Sequence, residues 1–317
     1  MSLVKSLFKD LITSFISLVV SSRIKLSEPF AYIATFNGLS TEWQPVDYAL
    51  VTKSNVTFRN MGRNILYIAL GYDGSNLIPL TDPFIVHKDG SVEFVKCDFR
   101  KRRSIDVRRK YYQSENVVAM RHRLLGGRIE ASDALDFIHT ELMYEIDSVH
   151  FSNWLAINDR HSKYRYWRYL SPDNSYGSIA ELAFFSSDSI RLSGMPIAST
   201  HDYETASHAF DDDWLTNYET ENPDGNWVGM DFGGETDVSM VRIVPRGDDN
   251  DIHIGDEYEL KYWSGRYWIT HEIVVARDNV LHFDNLPSNC LLWLHDRDRG
   301  WDERPFLIDD DGNVEWW

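Results

Sequence analysis

The sequence predicts an all-β protein built of tandem antiparallel β-sandwiches. Short runs rich in Val, Ile, Phe and Tyr recur along the chain, separated by Asn-Gly, Asp-Gly and similar turn signals. The aromatic content, 14%, is well above ordinary, and aromatic side chains favour strands. Helical periodicity is almost absent beyond the N-terminal stretch. At 317 residues there is room for two or three domains, and 43% hydrophobic with 26% charged residues is the composition of a globular chain.

Residues 1–27 form an N-terminal segment. Lys5 and Lys9 ahead of Leu11–Val20 resemble the core of a signal peptide, yet Asp10 sits at its edge and no small-x-small cleavage site follows. The segment reads better as the first helix or strand of a domain in a natural protein that extends upstream.

Residues 28–112 follow as a β-sandwich. Its strand-like runs are 30–40, 48–59, 63–72 and 83–95, punctuated by Asn37-Gly38, Asn60-Met61-Gly62, Asp73-Gly74 and Asp89-Gly90. Residues 113–187 are expected to make a small second sandwich. There, 164–170 alternates aromatic with basic residues, as in a strand with one packed and one wet face, and 179–185 reads as another strand after the Pro172-Asp173-Asn174 turn. Residues 188–317 hold eight of the eleven Trp, with strands at 227–231, 240–244, 257–263, 267–275 and 291–294. Trp263, Trp268 and Trp293 fall inside strand-like runs and belong to the core.

The net charge of −17 is unevenly spread. Residues 96–128 carry eleven Lys or Arg against three acids, whereas 28 acids face eight bases from residue 200 onward. No nucleic-acid motif accompanies the basic stretch, so no nucleic-acid partner is expected, and contact with acidic neighbours explains it better. No apolar run reaches the length of a membrane span. Cys97 and Cys290 make neither a disulfide framework nor a zinc site, and read as small buried hydrophobes.

One stretch suggests chemistry. In 209–216, Asp211 and Asp213 offer carboxylates, Ala209 a carbonyl, and Thr216 a hydroxyl and a carbonyl, with Glu303 as a remote carboxylate to close the shell. Calcium takes six to eight oxygens at flexible geometry, which such a turn can supply. The same pattern suits a solvated acidic turn capping a strand.

The acidic loop is followed by Trp227–Gly233, Val241–Arg246, Tyr258–Trp263 and Glu303–Phe306. This order resembles the discoidin-like, galactose-binding-fold sandwich of coagulation-factor C-type and bacterial carbohydrate-binding modules. Residues 245–260 are similar to the C-terminal region of large secreted proteins of gut Bacteroidetes, which often carry an upstream transglutaminase-like domain. The resemblance implies a discoidin-like jelly-roll at 188–317 and a structural calcium at Ala209, Asp211, Asp213, Thr216 and Glu303. Asp212 stands where the family usually has Gly, so the turn must form without glycine's freedom. It also implies a glycan or glycoprotein ligand at loops on one end of the sandwich. Arg246, Asp249 and Asn250 would meet hydroxyls there, and Trp227, Trp301 or Tyr203 would supply a stacking ring. An internal salt bridge between Arg246 and Asp249 is the alternative reading.

An enzyme would need a specific nucleophile or acid–base pair. Asp249 with Glu257 is one pair among many in an acid-rich block, and Cys97 and Cys290 lack a transglutaminase-type setting. The expectation is therefore a non-catalytic carbohydrate-binding region of a secreted, periplasmic or cell-surface protein. The alternative is a structural or protein-docking appendage that positions an upstream catalytic domain.

Overall fold

The computed structural model describes residues 15–19, 25–157, 161–200, 203–300, 302–309 and 311–317. The chain is almost all β, and its named strand pairings are antiparallel. It groups into two units, one of residues 1–112 with 250–317 and one of residues 113–249. The sequence boundary after 112 coincides with a unit boundary. The boundary expected at 187/188 does not: Lys163–Leu170 pairs with Trp227–Asp237, and Ile179–Phe185 with Met240–Pro245. The expected 113–187 and 188–317 domains are thus replaced by a sandwich across that line, while 250–317 folds with the N-terminal part. A shift in Trp and acid content marked composition, whereas antiparallel pairing joined strands distant in sequence.

In the 113–249 unit, the larger sheet runs Glu141–Glu145, Arg128–Ser132, Lys163–Leu170, Trp227–Asp237, Met195–Ala198. The smaller runs Asn153–Ala156, Met240–Pro245, Ile179–Phe185. Ile129, Trp167, Tyr169 and Val228 from the first share one core with Leu182, Phe184, Val241 and Ile243 from the second. The aromatic–basic alternation of 164–170 does not give the wet face expected: Trp167 and Tyr169 are buried on one face, and on the other Tyr166 is buried as well and Arg168, only 12% exposed, crosses to Glu130 on the neighbouring strand, Nη2 to Oε2 2.6 Å. The unit also contains a helix, Glu115–His122, absent from the sequence reading. It is started by Ser114, whose hydroxyl accepts Val117 N–H, and it carries Glu115 in its first turn and Arg121 and His122 in its last.

In the other unit, one sheet runs Glu42–Leu50, Phe30–Asn37, Ile65–Tyr72, Phe84–Val86, Val92–Phe94, with Leu77–Pro79 beside Ile65–Tyr72. A second runs Trp268–Val275, Glu257–Trp263, Leu292–Asp296, Phe306–Ile308, Val314–Trp316. The expected run 48–59 is interrupted between Leu50 and Asn55, where Lys53 and Ser54 take φ of 48° and 64°. An aromatic cluster packs N-terminal onto C-terminal strands of this unit. Trp43 lies 5.7 Å from Trp263, and Phe36 5.5 Å from both Trp268 and Trp293, ring centre to ring centre. Gly38 is required beside it, because a Cβ there would come within 2.0 Å of the Glu303 carbonyl oxygen.

The basic stretch meets acids of the same unit. Lys110 Nζ lies 3.1 Å from Asp296, both wholly buried, and Arg109 Nη1 2.7 Å from Asp251. Such pairs are held because removing either partner strands a buried charge. Cys97 and Cys290 are not free: they form a disulfide across 193 residues of sequence. Spacing could not reveal it, since Cys97, just before Asp98–Val107, and Cys290, between Leu281–Ser288 and Leu292–Asp296, come together only when Asp98–Val107 pairs with Leu281–Ser288.

Candidate functional site

The strongest constellation lies at one end of the 113–249 sandwich, where Leu170 and Pro245 end their strands and Ile179 and Trp227 begin theirs. The loop between Leu170 and Ile179 is tightly wound: Asn174, Tyr176, Gly177 and Ser178 all take positive φ, of 63°, 58°, 90° and 43°. Asn tolerates this region; Tyr and Ser are held in it at a cost of order 1–3 kcal/mol each. Hydrogen bonds fix the shape, from Asn174 N–H to Asp224 Oδ1 (2.8 Å) and from Thr220 N–H to the Tyr176 carbonyl (2.9 Å). Gly177 is dictated twice, by its φ and because a Cβ would sit 2.8 Å from the Tyr218 ring. Strained residues of this kind concentrate at ligand sites.

Polar side chains converge on this loop. Arg246 donates its N–H to the Ser178 carbonyl at 3.2 Å and its guanidinium to Glu219. Arg123 Nη1 donates to Ser178 Oγ (3.2 Å) and Glu219 Oε1 (3.5 Å), with its guanidinium 5.7 Å from the Tyr176 ring centre. The side chains of Arg123, Glu219 and Arg246 are each about one-third exposed, at 38%, 34% and 32%. Two forked donors, a carboxylate and an aromatic ring are thus presented together at a solvent-accessible rim, over the buried Ser178 hydroxyl.

The other expected ligand-binding residues are not contacts of Arg246 in any described pair, and each that is described has a setting of its own. Asp249 closes this unit, buried and with φ 52°; Arg246 is paired with Glu219 in its place. Asn250 opens the other unit, is buried, and accepts Lys110 N–H on its carbonyl at 2.8 Å. Trp227 begins its strand at the loop end, but its ring packs 5.3 Å from Phe137, with Arg168 5.4 Å above it. Tyr203 is exposed at the start of the Tyr203–Ser207 helix. Trp301 lies outside the described residues.

The acidic loop forms a self-bonded turn. Asp212 takes φ 61°, the left-handed geometry for which glycine is the usual solution. Asp211 Oδ1 accepts Asp213 N–H and Asp213 Oδ1 accepts Leu215 N–H, both at 3.0 Å. The Thr216 hydroxyl lies 2.9 Å from Asp211 Oδ2 and 2.8 Å from the Asp213 carbonyl. The Ala209 carbonyl accepts Leu182 N–H at 2.7 Å. Glu303 belongs to the other unit, where its carboxylate accepts Trp293 Nε1–H (3.0 Å) and Asp296 N–H (2.7 Å) and meets His295 Nδ1 (3.0 Å).

Within the loop's own unit the remote carboxylate is Glu181, which the sequence reading passed over. It is fully buried; its Oε2 accepts Asp212 N–H at 3.1 Å and its Oε1 accepts Arg191 Nη2–H at 2.9 Å. Arg191 Nη1 also lies 2.6 Å from both Asp212 oxygens. Burial, helped by the Asp212 charge and opposed by Arg191, pushes the Glu181 carboxyl up to about 7. The signal was available: Glu181 is the lone acid in Ile179–Phe185, and an acid in a fully buried strand must have a partner. Arg242 lies beside Asp212 at 3.5 Å, its guanidinium 5.6 Å from the Trp154 ring and 5.4 Å from that of Trp214. Among the described residues, no group of three or more His, Cys, Asp and Glu side chains is arranged to hold a metal ion.

No protein-family description, no curated protein and no solved structure significantly matches the chain.

Proposed function

We propose that this chain is a non-catalytic glycan-recognition region of an exported bacterial protein, with the 113–249 sandwich as a discoidin-like, galactose-binding-like jelly-roll. The observation that carries the reading is the strained 174–178 loop with Arg123, Glu219 and Arg246 gathered at its rim. A pyranose presents vicinal hydroxyls that both donate and accept, together with an apolar C–H face. Guanidinium forks and a carboxylate satisfy the hydroxyls, and the Tyr176 ring can take the C–H face. The Cys97–Cys290 disulfide supports export, because such bonds persist in oxidising compartments. An upstream catalytic domain in the natural protein remains part of the proposal, resting on the Bacteroidetes resemblance.

The proposal extends to one structural calcium at the 209–216 turn. Its donors would be Asp211, Asp213, Thr216 and the Ala209 carbonyl, hard oxygens gathered in one short segment. Glu303, already engaged by three N–H groups or ring nitrogens of its own unit, is left out of this set.

A glycan-array screen of the full chain, run with calcium and again with chelator, tests both parts. Retained binding with a lower melting temperature under chelator is the expected result for a structural ion. An array without hits in either condition would sink the glycan reading and leave the docking-appendage alternative.

A further inference from the structure

The Val92–Phe94 strand is the last of its sheet, and among the described strands it pairs on one side only, with Phe84–Val86. All three of its residues are exposed, including the apolar Val92 and Phe94. Proteins ordinarily blunt or cover such an edge, because its free N–H and C=O groups template another strand. Here it is flanked by two clefts. Val92 and Phe94 line the first, of about 750 Å³, with Leu18, Leu80 and Arg266. Glu93 and Val95 line the second, of about 620 Å³, which Phe94 also touches, with Leu307, Asp309 and Glu315.

That division follows the strand's period of two, which sends successive side chains to opposite faces. The faces belong to different cores: Phe84 and Val86 pack with Ile16 and Leu18, while Ile85 and Val95 pack with Leu291 and Leu307. A segment laid along the free edge extends the sheet and directs its own alternate side chains into the two clefts. The clefts differ in charge. The first balances Asp82 with Arg266 around an apolar wall. The second sets Glu93, Asp309 and Glu315 against Lys96 within its lining, with His87 Nε2 2.9 Å from Glu93 Oε2 beside it.

We propose that this edge docks an extended polypeptide segment of a partner protein, one that alternates apolar side chains toward Leu18, Leu80 and Phe94 with basic ones toward Glu93, Asp309 and Glu315. Main-chain hydrogen bonds supply affinity in such strand addition, and the alternating clefts supply selectivity. The site is independent of the glycan reading and belongs to the other unit.

The test is fluorescence anisotropy of the full chain with a labelled, capped peptide of alternating Val and Lys, about eight residues long. Saturable binding is expected, weakened about tenfold or more by the double variant Glu93→Lys, Glu315→Lys, whose exposed positions leave the melting temperature near wild type. Methylating alternate amide nitrogens of the peptide is expected to abolish binding while keeping every side chain and charge. No saturable binding, or equal binding of the methylated peptide, would overturn the proposal. Self-association of the chain that the double variant dissolves, seen by sedimentation, would overturn the partner assignment in favour of a second copy.

Discussion

At the loop end of the 113–249 unit, Glu219 is shared by Arg123 and Arg246, and all three side chains are about one-third exposed. On the smaller sheet of the same unit, Glu181 is held by Arg191 beside Asp212 with no exposure at all. The ingredients are nearly identical, and water makes the difference. In the first cluster solvent screens the charges, the pairing is worth little, and the donors can exchange an internal partner for a ligand hydroxyl. In the second the carboxylate has been taken out of water and depends on its guanidinium, so the cluster fastens the acidic loop to the sheet. Burial of the Glu181 carboxylate, with Arg191 and Asp212 themselves 36% and 59% exposed, marks this buried set as architecture, and exposure leaves the other set open to the recognition proposed for it.

Breaking the buried set should have the largest effect on stability. Arg191→Met removes the guanidinium that holds both Glu181 and Asp212, and is expected to cost roughly 3 kcal/mol, the low end for a buried pair because Arg191 itself is partly exposed. Urea unfolding of wild type and variant measures it.

The pH dependence of Glu181 comes next. Its folded-state pKa, about 7, lies above its ordinary value of 4.5, so the folded chain binds the extra proton between these values. Stability contributed by this group is therefore fully present below about 4.5 and lost as pH rises through about 7. Glu181→Gln should remove that dependence, so the difference between the unfolding free energies of wild type and variant should change across this window and level off outside it. A difference independent of pH would show that the carboxyl is ionised throughout.

Gly177→Ala is expected to cost about 1–3 kcal/mol, since it combines a left-handed backbone with a clash against the Tyr218 ring. It should also impair ligand binding through the loop. Arg246→Ala has the smallest expected effect on folding, under about 1 kcal/mol, because an exposed pair contributes little. Its effect belongs in binding.

Much of the fold was legible. Turn pairs and β-rich runs marked the strands, and the Trp residues inside apolar runs were correctly assigned to the core: Trp263 and Trp293 are buried, and Trp268 packs against both. The pairing of those strands was not legible. Composition changes near 187, yet Lys163–Leu170 finds its neighbour at Trp227–Asp237, and the Cys97–Cys290 bond joins segments 193 residues apart. Only long-range packing carries that information. At the candidate site, Arg246 was visible as a charge following a strand, but its partner Glu219 lies 27 residues upstream, and Arg123, which shares Glu219, sits in the turn after a helix the sequence did not suggest. Asp212 shows the reverse case. The missing glycine was readable, and the chain still adopts the left-handed turn, with the Asp212 N–H and carboxylate tied to Glu181 and Arg191.

The most direct test is titration of a glycan drawn from the array against wild type, Arg246→Ala and Glu181→Gln, each with its melting temperature. The predicted result is a loss of about tenfold or more for Arg246→Ala, with little change in melting temperature, and near wild-type affinity for Glu181→Gln. Wild-type affinity in Arg246→Ala, or loss of binding in Glu181→Gln while Arg246→Ala still binds, would contradict the division of labour between the exposed and the buried set.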